Sequence, residues 1–225
     1  MEGQASISAQ LSLWVAGVST LIVAVLGTFL AYLFAKRDFL GKNVLDILIT
    51  LPLVLPPTVT GYYLILLLGR RGWIGGPVYD LTGWTVTFTW WAAVIASTVV
   101  SLPFMVRAGR AAIESVDRNV EYASQLLGKR EWYTALTITL PLARRGLIAG
   151  LVLSFARAMG EFGATLMLAG NIPGRTNTMP LEIYSAVAGG DMERAHWLVL
   201  AHTGISFLAL YLATRWSRER VKVGT

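Results

Sequence analysis

The chain has 225 residues, of which 55% are hydrophobic and 14% charged, with a mean hydropathy of +0.58. That is too apolar for an ordinary soluble domain, and lipid is the solvent such a composition suits. The absence of cysteine removes disulfides, thiolate metal sites and cysteine nucleophiles. The net charge of +6 raises nucleic acid as a partner, but the basic residues flank apolar runs, which is the pattern of cytoplasmic membrane loops.

A helix needs roughly 20 apolar residues to cross a bilayer core, and runs of that size predict an all-α integral membrane fold with spans at 11–35, 44–69, 86–105, 147–169 and 197–216. The first follows ten residues without Lys or Arg and ends at Lys36-Arg37. It exceeds the roughly 7 to 15 residues of a secretory core and its charges follow it, so it reads as a retained span with the amino terminus outside. The second carries Pro52, Pro56 and Pro57, which must bend or break it. Freed carbonyls in lipid need partners, so that interruption is expected to face protein or a cavity. Gly72 to Gly83 reads as an external connection, and Trp84, Trp90 and Trp91 as an interfacial belt leading into the third span.

The polar stretch 107–145 separates the third and fourth spans. Asp117 can cap a helix start, Glu121 suits its first turn, and Gly128 after Leu127 offers a left-handed stop, which predicts a short helix over 119–127. A second amphipathic piece, Glu131 to Leu140, is expected to end at Pro141. Val120, Ala123 and Leu127 form a small apolar face suited to a groove on a partner. The plain alternative is a solvated linker, although a mere connector could be far shorter.

Small residues mark the fourth span, among them Gly146, Gly150, Gly160, Gly163 and Ala164, and these let helices approach closely in lipid. A polar stretch from Asn171 to His196 follows, with Pro173, Gly174, Pro180 and an amphipathic piece around Leu181 to Val187. With the amino terminus outside, the inner segments hold Lys36, Arg37, Lys42, Arg107, Arg110, Arg118, Lys129, Arg130, Arg144, Arg145, Arg215, Arg218, Arg220 and Lys222. The outer segments hold only Arg70, Arg71, Arg175 and Arg194, the asymmetry expected of that orientation, with the carboxyl terminus in the cytoplasm. No internal repeat is visible, so 1–225 reads as a single membrane domain.

Arg157 and Glu161 stand one helical turn apart inside the fourth span and can neutralise each other. A charge pair at that depth is a candidate gate beside a translocation path, or alternatively structural glue between helices. Pro57, Thr58 and Thr60, in the run Pro56 to Gly61, could line a path for a tetrahedral oxyanion with neutral donors that bind weakly enough to release it; the alternative is a packing kink. Thr165 and Asn171 are lesser candidates. His196 and His202 lack the further ligands of a metal site. Gly41-Lys42-Asn43 and Gly128-Lys129-Arg130 lack the Ser or Thr of a phosphate loop, so nucleotide hydrolysis by that route belongs to another chain.

The spacing of Gly128, nine residues, then Ile138-Thr139-Leu140-Pro141 resembles the cytoplasmic loop signature of bacterial ABC importer permeases. The first half departs from it: Tyr122, Ala123 and Ser124 occupy the positions of Glu-Ala-Ala, with Glu121 one residue earlier. The runs Ala156 to Ala164 and Leu168 to Arg175 look like those of molybdate permeases. The resemblance implies a type I ABC importer transmembrane domain of about five helices with a cytoplasmic coupling helix. It assigns Glu121, Tyr122, Ala123, Ser124, Gly128, Ile138, Leu140 and Pro141 to ATPase coupling. It further implies a homodimer in the bacterial inner membrane, two ABC ATPase subunits that bind ATP and Mg, an extracytoplasmic oxyanion-binding protein, and no cofactor in this chain. Tungstate and sulfate are rival cargoes. A secondary transporter would instead show inverted repeats, and a membrane enzyme or electron carrier would show a catalytic constellation or paired haem-ligating histidines.

Overall fold

A computed structural model describes residues 2–222; the side chains of Arg218, Arg220 and Lys222, counted above on the inner side, lie outside the described residues. Every regular element among those residues is helical. The chain runs as α1 (Glu2–Lys36), α2 (Lys42–Val54), α3 (Pro57–Leu68), α4 (Gly75–Thr82), α5 (Trp90–Glu114), α6 (Arg118–Leu126), α7 (Glu131–Thr134), a π-helical turn (Ala135–Thr139), α8 (Leu140–Met159), α9 (Gly163–Ala169), α10 (Met179–Ala188) and α11 (Met192–Lys222). Among the described residues, four stretches are long and apolar enough to cross a membrane: Ser6–Lys36, Trp90–Glu114, Glu131–Met159 and Met192–Leu212.

The expected second span, 44–69, is two helices instead of one. Leu55 is extended (φ −71°, ψ 141°), and Pro57 opens α3. A proline disfavours helical backbone in the residue before it, so Pro56 and Pro57 together stop α2 and restart the chain at α3. At 1.5 Å per residue, α2 and α3 are each only about 20 Å long, so neither half crosses alone.

The fourth expected span also differs. It begins earlier, at α8, and stops at Met159, because Gly160-Glu161-Phe162 leave the helix before α9 resumes. Pro141 does not end the preceding amphipathic piece as expected. The Leu140 N–H reaches back five residues to the Ala135 carbonyl, and this widened turn places Pro141 in the first turn of α8, where its missing donor costs least. The third span is displaced, starting at Trp90 with Thr89 as cap and continuing to Glu114. The polar region expected at 107–145 is therefore mostly helix, and Gly72 to Gly83 contains α4.

The most extensive packing sets α1 and α8 against α5. Beta carbons built on Gly146 and Gly150 would fall 2.4 Å from Ala112 Cβ and 2.9 Å from Ala108 Cβ, so only glycine admits this approach of α8 to α5. One core of Val15, Leu64, Ala92, Ala93, Val94, Ala96, Val100, Ala164, Leu168 and Ala169 joins α1, α3, α5 and α9. A second, with Ala31, Ile113, Val116 and Ala143, joins α1, α5 and α8 toward the other end. The faces left open are apolar: α2 buries no residue, and α11 exposes Trp197, Leu200 and Phe207.

Candidate functional site: a capped loop helix and two facing helix breaks

Local chemistry sets both ends of α6. The Asp117 carboxylate accepts the Asn119 N–H at 2.9 Å, and Glu121 lies in the first turn. Gly128 adopts φ +78°, the left-handed stop, while the N–H groups of Gly128 and Lys129 return to the Gln125 and Ser124 carbonyls at 2.9 and 3.2 Å.

The predicted coupling residues divide between two faces. Tyr122 and Ala123 point outward together with Val120, Leu126 and Leu127, the two leucines being 89% and 81% exposed. Glu121 and Ser124 are buried on the opposite face. Glu121 Oε2 meets Lys36 Nζ at 2.6 Å, and its Oε1 accepts the Thr139 hydroxyl at 2.6 Å. The Ser124 and Thr134 hydroxyls lie 2.9 Å apart. Thr139 is fully buried in the π-helical turn, with Ile138 and Leu140 half-buried beside it and Pro141 exposed. A polar cavity of about 160 Å³ lies under the helix, lined by Lys36, Glu121, Gln125, Glu131, Thr134 and Thr139 among others.

A second tie, Arg37 to Glu131 at 2.5 Å, is solvent-exposed. In the adjoining loop, the hydrogen bond from Lys42, at 2.8 Å, and its charge hold the exposed Asp38 carboxyl below the usual carboxylate range. In the sequence Lys36 is only one of the basic residues that mark orientation, and Thr139 only the variable position between Ile138 and Leu140. Their partnership with Glu121 spans 85 and 18 residues, and no spacing rule points to it.

The candidate path residues meet elsewhere, where the two helix breaks face each other. A beta carbon on Gly163 would lie 2.8 Å from Pro57 Cβ and 3.2 Å from Thr58 N; one on Gly61 would lie 2.6 Å from Met167 Cβ. These glycines hold the start of α3 against α9. Glu161 sits at the break and is buried. Its Oε1 accepts the Ala164 N–H at 2.7 Å, and its Oε2 lies 2.7 Å from Arg157 Nη2 as a charge contact without hydrogen-bond alignment. The pair therefore forms across the end of α8, not along one helical face as expected.

Pro57 and Thr58 are exposed beside this junction, while Thr60 is buried with a hydroxyl that has no partner among the described residues. Thr165 is buried, and Asn171 donates to Ser185 Oγ at 2.7 Å, which fixes it to α10. His196 is exposed and His202 half-buried between α8 and α11.

The polar stretch after α9 gathers at the opposite end of α1 from α6. Ser12 Oγ accepts the Met179 N–H at 2.8 Å, Ser8 donates to Asn177 at 3.2 Å, and buried Glu182 pairs with Arg194. Residues 8 and 36 of α1 stand about 42 Å apart by helical rise, more than the roughly 30 Å of a hydrocarbon core.

Residues 7–222 match the family described as binding-protein-dependent transport system inner membrane component. The chain is 45% identical over 214 residues to the molybdenum transport system permease protein ModB of Escherichia coli (strain K12), covering 93% of each chain. It is 43% identical over 201 residues to the putative molybdenum transport system permease protein YvgM of Bacillus subtilis (strain 168), covering 89% of this chain and 88% of the relative. Against the chloroplastic sulfate permease 2 of Chlamydomonas reinhardtii it is 37% identical over 213 residues, covering 95% and 56%.

The fold is similar to that in a crystal structure of a bacterial ABC transporter involved in the import of alginate, with a TM-score of 0.77 at 15% identity, covering 96% of this chain and 79% of that one. It is also similar to that of the inward-facing MetNI methionine ABC transporter, with a TM-score of 0.71 at 16% identity and 94% of each chain covered.

Proposed function

The chain belongs to the family of binding-protein-dependent transport system inner membrane components, and from that premise we propose that it is the permease subunit of an ATP-driven molybdate importer. The observation that carries the cargo is the 45% identity to a molybdenum permease across 93% of both chains, against 37% to a sulfate permease that is matched over 56% of its length. Two copies enclose one central path in the inner membrane. A break in a membrane helix must face protein or water, and the junction of α3 with α9, exposed at Pro57 and Thr58, supplies such a wall.

Two ABC ATPase subunits dock on the outward face of α6, at Tyr122, Ala123 and their apolar neighbours, and bind the ATP and Mg that this chain does not hold. The surface of 171–196 lies outside and receives an oxyanion-binding protein; the amino terminus lies on that side and the carboxyl terminus in the cytoplasm. ATP-driven closure of the ATPases displaces α6 and thereby tilts the spans. Each state is favoured only by the contacts it alone makes. Arg157 and Glu161, at the α8–α9 break, act as the gate, with the exposed hydroxyl of Thr58 offering a neutral donor to a passing dianion. Thr60 supports this wall from the buried side.

The test is reconstitution of the chain with its neighbouring ATPase and binding protein in proteoliposomes. ATP-dependent uptake of labelled molybdate in preference to sulfate is the expected result. Uptake by the chain alone, without nucleotide, sinks the reading in favour of a secondary transporter; preference for tungstate or sulfate replaces the cargo.

A further inference from the structure

Docking on the outward face of α6 leaves the buried cluster beneath it unexplained. Lys36, the last residue of α1, and Glu121, on α6, have side chains only 12% and 11% exposed, and their charged atoms lie 2.6 Å apart. Thr139 donates to the other Glu121 oxygen at 2.6 Å. A carboxylate so enclosed is held by two partners on two different elements, the end of a membrane span and the π-helical turn that feeds α8. Such a pair keeps its geometry, because losing either partner leaves an uncompensated buried charge. The nearby Arg37–Glu131 pair, with side chains 57% and 44% exposed, is screened by water and imposes little.

We propose that Lys36 is a positioning residue for energy coupling: the strut Lys36–Glu121–Thr139 makes the end of α1, the docking helix and the root of α8 move as one body. Push on α6 then reaches two spans at once, α8 through the chain and α1 through the strut. Because both pack on α5, the bundle tilts in place of the loop yielding. Glu121 thus serves coupling from inside the chain and not at the ATPase surface. This inference rests on the importer reading above.

The test uses the full complex in proteoliposomes, with ATP hydrolysis and labelled molybdate uptake read in parallel on assembled complex. Lys36→Met is expected to lower uptake per ATP roughly tenfold, within the usual span of a coupling energy, while the ATPase stays bound and hydrolysing. Thr139→Val removes only the third member and is expected to lower the same ratio about threefold. The double variant Lys36→Glu/Glu121→Lys is expected to recover most of the ratio, and Arg37→Gln to leave it unchanged.

An unaltered ratio in Lys36→Met overturns the strut, as does a reversed pair that fails to recover it. Loss of assembled complex in Lys36→Met that the reversed pair does not repair also overturns it, in favour of a purely structural tie. Absence of ATP-dependent uptake by the unsubstituted complex is a different failure and removes the importer reading itself.

Discussion

Neighbouring residues on α6 face opposite ways. Ala123 faces outward among exposed apolar side chains while Ser124 and Glu121 face in, so a charge at 123 tests the proposed docking without disturbing the fold. Ala123→Asp is expected to weaken ATPase association by about 2 kcal/mol or more, roughly thirtyfold, with membrane level and thermal stability within about 0.5 kcal/mol of the unsubstituted chain. Titration of purified ATPase onto the membrane-embedded chain checks this, and undiminished affinity would mean that the groove engages another surface. At the second site, Glu161→Gln keeps a carbonyl oxygen for the Ala164 N–H but strips the charge facing Arg157, which is 26% exposed. Water shares that cost, so a loss of about 1–2 kcal/mol in stability is expected, with a larger fall in uptake than in assembled complex. Equal falls would make the pair glue.

The ends of α6 were legible because Asp117 and Gly128 act within a turn of their own positions. The Glu121 contacts were not, since they require the loop to be folded back on α1.

At the scale of elements, hydropathy locates apolar runs but is blind to the hydrogen-bond ladder. α5 continues to Glu114 through Arg107 and Arg110, beyond the expected end at residue 105, because a helix leaving lipid keeps its backbone bonds. The reverse failure occurs at Gly160 to Phe162, where the sequence stays apolar enough to suggest a continuous span and the helix stops. The prolines of the second span announced their break; a buried carboxylate capping a restarted helix has no comparable mark.

The meeting of α3 and α9 can be tested directly. Gly163→Ala puts a methyl 2.8 Å from Pro57 Cβ and 3.3 Å from its carbonyl carbon, and backbone cannot swing aside as a side chain does. A destabilisation of about 1–3 kcal/mol is expected, read as a lowered thermal midpoint in detergent. Gly17→Ala, which meets nothing within 4 Å, is expected to be neutral or slightly stabilising, since alanine is the better helix former. Equal midpoints for the two variants would show that α3 and α9 leave room for a methyl group between them.

For the whole molecule the decisive distinction is between apolar surface that meets lipid and exposed surface that meets water. A single copy exposes both kinds, Phe207 on α11 and Thr58 at the start of α3, and exposure alone does not separate them. Chemistry does: a thiol in lipid is deprived of its thiolate, the reactive form, whereas a thiol beside water is not. The chain contains no cysteine, so each single substitution adds one thiol to a sequence that has none, and labelling is read on this chain alone. If the α3–α9 junction borders an aqueous path, Thr58→Cys in native membranes should react with a charged maleimide at least about tenfold faster than Phe207→Cys, the ratio that one unit of thiol pKa alone provides. Its rate should also change when the ATPase is trapped with nucleotide, because alternating access opens the path to one side at a time. A Phe207→Cys that reacts as readily would place α11 against water and turn the bundle inside out relative to the wall proposed for it. Equal rates at Thr58→Cys with and without trapped nucleotide would leave an aqueous cleft there but remove it from the moving part of the path.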